Sequence, residues 1–142
     1  MFEAMEVLAS GLSATRTRVN TIASNIANAE TTRTPEGGPY KRKDVVQLAR
    51  GIQSKFASAL DRMTLAKPSV YAVVEDQSPP KMVYQPGHPD ADGNGYVAFP
   101  NINMVETMTN MMSATRLYQA NVAAMETIRQ MAAEARRISV RF

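Results

Sequence analysis

The chain has 142 residues, 16 Lys and Arg against 13 Asp and Glu, a net charge of +3, and neither Cys nor Trp. The missing Cys excludes disulfides, thiolate nucleophiles, Cys-ligated zinc and iron–sulfur clusters, and catalysis that needs histidine would have to rely on His88 alone. The longest unbroken apolar run, residues 70–74, is far below the ~20 residues of a membrane helix, and the lack of Lys or Arg before Arg16 argues against a cleaved secretory signal.

All eight prolines lie between Pro35 and Pro100, and six of the seven glycines between Gly37 and Gly95. Because Pro and Gly interrupt helices, this predicts three parts: an N-terminal helix within 1–32, an irregular, β-rich insert over 33–100, and a C-terminal helix with a short basic tail over 101–142. In the first part Met5, Leu8, Leu12, Thr15, Val19, Ile22, Ile26 and Ala29 recur at steps of three and four, a coiled-coil-type stripe. The outer positions hold mostly Ser, Thr, Asn and Ala, which are poor dressing for a solvated helix. Such a helix is marginal alone, since most helix stability comes from packing. Its faces are therefore expected to be covered by neighbouring subunits.

In the insert, residues 40–48 read as the start of a strand. Residues 47–63 have helical spacing (Leu48, Ile52, Phe56, Leu60) interrupted by Gly51. Residues 70–74 and 81–84, bounded by prolines, read as a hairpin, and 96–99 as a third short strand. Asp90, Asp92 and Asn94 match the first half of a calcium loop, but its twelfth position is Asn101 rather than a bidentate Glu. A turn is the better use of these residues.

The second long segment repeats the stripe with Met104, Met108, Met111, Thr115, Tyr118, Val122 and Met125. It then shifts towards Ile128, Ala132 and Ala135, because Arg129 occupies the expected slot. Asn103 is the expected N-cap, with Glu106 as its capping-box partner. Helices of ~45 to 50 Å at ~1.5 Å per residue are too long for the core of a small compact domain. The expected fold is therefore mainly α with a small β-rich insert, the two terminal helices paired as an antiparallel, coiled-coil-like hairpin.

No paired-carboxylate, P-loop or dinucleotide pattern is present, and no catalytic residue, metal or cofactor is expected. The basic run Lys41, Arg42, Lys43 beside Tyr40 is too short and too nearly cancelled by acidic neighbours for a nucleic-acid surface. It suits a contact with another protein. Asn25, Asn28 and Asn121 are the expected polar contacts between helices of different subunits, with Tyr40 and Lys41 to Lys43 at the insert boundary.

The segment Ser-Gly-Leu-Ser-Ala-Thr-Arg at residues 10–16, followed by Ser-Asn-Ile-Ala-Asn-Ala at 24–29, resembles the bacterial flagellar rod and hook family. Residues 33–43, 83–92 and 95–103 and the C-terminal stretch 112–122 are similar to proximal-rod members of that family, in the same order. The resemblance implies a non-enzymatic structural subunit of the proximal rod, the drive shaft of the basal body. It would assemble helically with itself, other rod proteins and the adaptors at the inner-membrane ring, and transmit torque. It also implies a periplasmic location reached through the flagellar type III export apparatus, without membrane insertion. The competing reading from the residues alone is a coiled-coil adaptor that binds one partner helix.

Overall fold

The computed structural model describes residues 2–51 and 66–139. Its elements are α1 (Phe2–Ala27), β1 (Lys43–Gly51), β2 (Ala66–Glu75), β3 (Lys81–Tyr84), β4 (Tyr96–Phe99) and α2 (Met104–Ser139). Of the helical spacing over residues 47–63, residues 47–51 instead belong to strand β1, whose partner β2 supplies their backbone ladder, and the rest, like the end of the tail at 140–142, lies outside the described residues.

The two helices have 26 and 36 residues, about 39 and 54 Å at 1.5 Å per residue, so α2 is the longer by ten residues. They pack against each other, and β1 and β2 pack on α1. At Gly11 three elements converge. A Cβ on Gly11 would stand 3.5 Å from Asn121 Nδ2 of α2 and 3.9 Å from Pro68 Cγ of β2. The Ser10 hydroxyl donates to the Pro68 carbonyl and Lys67 pairs with Glu6, so β2 is tied to the first half of α1. Asn103 caps α2: its Oδ1 accepts from the N–H groups of Val105 and Glu106 at 3.1 and 3.3 Å, which satisfies donors left open at a helix start.

The strands form two separate antiparallel pairs, β1 with β2 and β3 with β4. Residues 70–74 and 81–84 are both strands, as their β-branched and aromatic content predicts, but they do not pair with each other. Pro79 and Pro80 stand between them. Proline has a fixed φ and no N–H for a ladder, so the chain leaves β2 extended and starts a second sheet. Residues 40–48 do enter a strand, which runs on through Gly51 and takes the whole length of β2 as its partner. Opposite Val46 and Gln47 the register skips Tyr71, a bulge that adds twist to the ribbon.

Gly95 closes the β3–β4 connection with φ +82°. Its N–H donates to the Asp92 carbonyl at 2.9 Å, while Asp92 Oδ1 accepts from the N–H groups of Asn94 and Tyr96 at 2.8 and 2.9 Å. The calcium-like spacing is thus that of a turn whose carboxylate is engaged by backbone. A Cβ on Gly95 would stand 2.9 Å from Tyr84 Cε2 and 3.2 Å from Pro86 Cβ. Gly95→Ala is expected to cost about 1–2 kcal/mol from the left-handed backbone alone, and to disturb the edge-on Tyr84–Tyr96 ring pair with centroids 5.3 Å apart. Urea denaturation checks this, and an unchanged midpoint would show that the turn relaxes without penalty.

The buried interior is small. Among the described residues the buried apolar side chains are Ala14, Ile22, Val97 and Ala114, and Thr15, Asn25 and Thr107 are buried with them.

Candidate assembly interface

The best-formed polar site lies where α1 meets the insert. Asn25 is 3% exposed. Its Nδ2 donates to the Lys43 carbonyl at 2.8 Å and its Oδ1 accepts from the Lys43 N–H at 2.9 Å. The side-chain amide thus pairs with Lys43 in both directions, as a residue on a neighbouring strand would, and β1 begins at Lys43. Asn25 Oδ1 also accepts from the Tyr40 hydroxyl at 3.1 Å, and Ser24 Oγ lies 3.2 Å from the Tyr40 hydroxyl oxygen. One turn on, Asn28 Nδ2 donates to the Ser24 carbonyl at 2.9 Å and its Oδ1 accepts from Thr31 at 3.2 Å, closing the helix end. Thr32 then donates to Asp90 at 2.8 Å, and Arg33 lies 3.8 Å from the same carboxylate. The segment following α1 is therefore held to both strand pairs.

Of the seven polar residues expected between subunits, five have their side chains engaged inside the chain. Asn25, Asn28 and Tyr40 form the junction just described. Arg42 pairs with Asp44 at 2.7 Å. Lys43 Nζ lies 3.7 Å from Glu75 and 5.8 Å from the Tyr40 ring centre. The physical reason is that a helix-to-strand junction buries backbone donors and acceptors that need partners, and these are the polar groups at hand. Asn121 is half-buried against Gly11, and Lys41 alone of the seven is exposed.

Arg42 Nε is buried and faces Asp76 Oδ2 at 3.8 Å without a hydrogen bond. The hydrogen bond to Asp44, with the charges of Asp44, Asp76 and Glu106, raises the guanidinium pKa despite the opposing effect of burial. The Asp76 carboxyl is held below its ordinary 3.8, first by the Ser78 hydroxyl, then by the Ser78 N–H and Arg42. A depressed carboxyl stabilises the fold in full above its unfolded pKa and loses that contribution as pH falls through the folded value. The Asp76 contribution therefore drains below pH 3.8. A carboxyl-carbon NMR titration is expected to show the Asp76 midpoint rising in Ser78→Ala. No rise would remove Ser78 as the main cause.

The helix stripes are placed with a rotation. From α1, Ile22 and Thr15 are buried, and Met5, Leu8, Leu12, Val19 and Ile26 are half-buried. From α2, Met111, Val122 and Met125 are half-buried, but Met104, Met108 and Tyr118 are exposed, Met108 by 50%. The fully buried α2 positions are Thr107 and Ala114, the latter 2% exposed, one residue from Met108 and Thr115 and so about 100° around the helix. Small side chains let the helix axes approach. Thr107 and Thr15 are tolerated there because each hydroxyl bonds back to a carbonyl four residues earlier, at 2.6 and 2.7 Å. Ala14, Thr107 and Ala114 escape a search for apolar spacing. The signal that finds the two α2 positions is the repeat of small residues at 107 and 114, leading on to Asn121, one heptad apart.

Beside this contact, Arg18, Thr21, Ile22, Lys43, Asp44, Val45, Gln47 and Asn110 line a groove of about 390 Å³ between α1, β1 and α2. Among the described residues no three His, Asp or Glu side chains are grouped to hold a metal, and no helix is long and apolar enough to cross a membrane.

Comparison with known proteins bears on what these surfaces meet. Residues 5–33 match the family described as flagella basal body rod protein, and residues 94–138 the flagellar basal body rod FlgEFG protein C-terminal family. The chain is 40% identical over 126 residues to the flagellar basal-body rod protein FlgC of Salmonella typhimurium, covering 89% of this chain and 88% of the relative. It is 37% identical over 140 residues to the FlgC of Borreliella burgdorferi and 36% over 140 residues to that of Bacillus subtilis, covering 92% of both chains in each case.

Proposed function

Because the chain belongs to the FlgC family of flagellar basal-body rod proteins, it is a structural subunit of the rod, and we propose that its paired helices form the load-bearing wall of that shaft. In this reading α1 and α2 run antiparallel. Two placements support it: Gly11 meets Asn121, and Arg18 and Ile22 share a groove with Asn110. As numbers rise along one helix they fall along the other. Torque passes through helices braced by their neighbours, with the β1–β2 ribbon fastened to α1 by the Asn25–Lys43 pair.

The observation that carries the reading is the shortage of interior. Four buried apolar side chains among the described residues are too few to offset the ordering of two helices of this length. On α2, Val105, Met108 and Met112 are 75, 50 and 57% exposed, which leaves apolar surface for neighbours to cover. The partners fitting this reading are further copies, other rod proteins and the adaptors of the inner-membrane ring, in the periplasm. Export through the flagellar type III apparatus belongs to the same reading.

The test is genetic and biochemical. Cells deleted for this chain are expected to lose swimming and regain it on complementation, and purified basal bodies are expected to contain the chain. Swimming in the deletion strain, or basal bodies without the chain, would overturn the proposal.

A further inference from the structure

We infer that Asn94 is a site of spontaneous covalent modification, in which the Gly95 nitrogen attacks the Asn94 side-chain amide, and that Asp92 holds this reaction in check. The inference goes beyond the rod reading and does not depend on it.

The chemistry starts from the neighbour. Of the eight asparagines, only Asn94 precedes glycine. With no Cβ on the next residue, nothing crowds the approach of its nitrogen to the Asn94 side chain. The Gly95 nitrogen gives up its proton to water or hydroxide and bonds to Asn94 Cγ. The Cγ–Nδ2 bond breaks, and Nδ2 leaves as ammonia, which closes a succinimide ring. Water then opens the ring, with no change of oxidation state. Addition at Cγ gives aspartate. Addition at the main-chain carbonyl carbon gives isoaspartate, in which the main chain runs through the former side chain. Asp92 also precedes a glycine, but a carboxylate has a far poorer leaving group than an amide.

The fold keeps the reactive pair together. Gly95 has φ +82°, and a Cβ there would stand 2.9 Å from Tyr84 Cε2, so the residues that would slow ring closure do not fit. Asn94 is exposed, and water reaches its amide. The brake is the hydrogen bonding of the turn. The attacking nitrogen is already engaged, since the Gly95 N–H donates to the Asp92 carbonyl at 2.9 Å. Asp92 Oδ1 fastens the chain on both sides of it, through the N–H groups of Asn94 and Tyr96 at 2.8 and 2.9 Å. Ring closure needs that nitrogen released and the Asn94 main chain free to rotate. The turn must therefore open locally before Asn94 reacts.

Conversion to isoaspartate undoes the turn. It adds a main-chain methylene between the two N–H groups that share Asp92 Oδ1, so both can no longer reach it. It also sets a new carboxylate beside Asp92, where like charges repel. Because β4 begins at Tyr96, whose ring meets Tyr84 edge-on, the end of the β3–β4 ladder loosens.

The test ages the purified chain at mildly alkaline pH, folded in buffer or unfolded in urea. Peptide mass spectrometry, with chromatographic separation of aspartate from isoaspartate, follows each asparagine. Asn94 is expected to convert before any other. Its rate is expected to be higher in urea by about tenfold or more, since losing one hydrogen bond to a carboxylate shifts an opening equilibrium by about that factor. Asp92→Ala is expected to react about tenfold faster than the unsubstituted chain in buffer, for the same reason, and at the same rate in urea. The urea arm separates loss of the brake from a change in the chemistry. If circular dichroism shows that Asp92→Ala does not fold, the ratio of the unsubstituted chain's rates in urea and buffer decides alone. Equal rates in urea and buffer, a folded Asp92→Ala no faster than the unsubstituted chain, or earlier conversion of another asparagine would overturn the inference.

Discussion

Asn25→Ala is expected to lower the unfolding free energy by about 3 kcal/mol. The substitution removes three hydrogen bonds and, more importantly, leaves the N–H and the carbonyl of Lys43 without their partner at a site where Asn25 is 3% exposed. Each stranded backbone group costs about 1–3 kcal/mol, while a hydrogen bond made in exchange for water is worth only about 1. The stranding therefore sets the size of the effect. Tyr40→Phe removes two side-chain bonds, to Asn25 and to Ser24, but strands nothing on the backbone, so its cost is expected to be lower, about 1–2 kcal/mol. Urea denaturation compares the two, and hydrogen exchange locates the damage, with faster exchange expected at Lys43 and through β1. Equal losses in the two variants would show that the amide does not act as the first partner of β1.

The second large effect is expected at Ile22, 8% exposed on the contact side of α1. Ile22→Ala removes buried aliphatic atoms and is expected to cost about 2–3 kcal/mol. A buried charge adds desolvation, but the groove beside Ile22 holds Arg18 and Lys43, and their cations reduce that addition for a carboxylate. Ile22→Asp is therefore expected to cost about 3 kcal/mol, enough to abolish rod assembly and swimming, and Ile22→Lys to cost more, since Arg18 and Lys43 outnumber the one groove carboxylate, Asp44, which is already paired with Arg42. The expected order of loss is Ala, Asp, Lys, read from urea midpoints and from swimming in complemented cells. A Lys variant that tolerates the site better than Asp would mean that the groove cations do not reach position 22.

These expectations depend on features that differ in how far they show in the sequence. The concentration of Pro and Gly between Pro35 and Pro100 marks both helix ends of the insert, because backbone sterics act locally. Asn103 is legible as a cap for the same reason. The pairing of β1 with β2 is not, since any two β-branched segments are compatible and the prolines that separate β2 from β3 act by geometry. The rotation of the helix stripes is also hidden. Apolar spacing identifies residues that avoid water but not which surface removes them from it.

The sequence by itself determined the order of elements, the absence of thiol chemistry, the low charge of the helix faces and, through its family motifs, membership among rod proteins. These follow from local backbone preference and from residue identity. Only the tertiary structure decided that Asn25 bonds to Lys43 and Tyr40, and that Thr107 and Ala114 are buried while Met108 is half exposed. Both are matters of which atoms come within a few ångströms across more than a dozen residues of chain, and spacing along the chain carries no record of that.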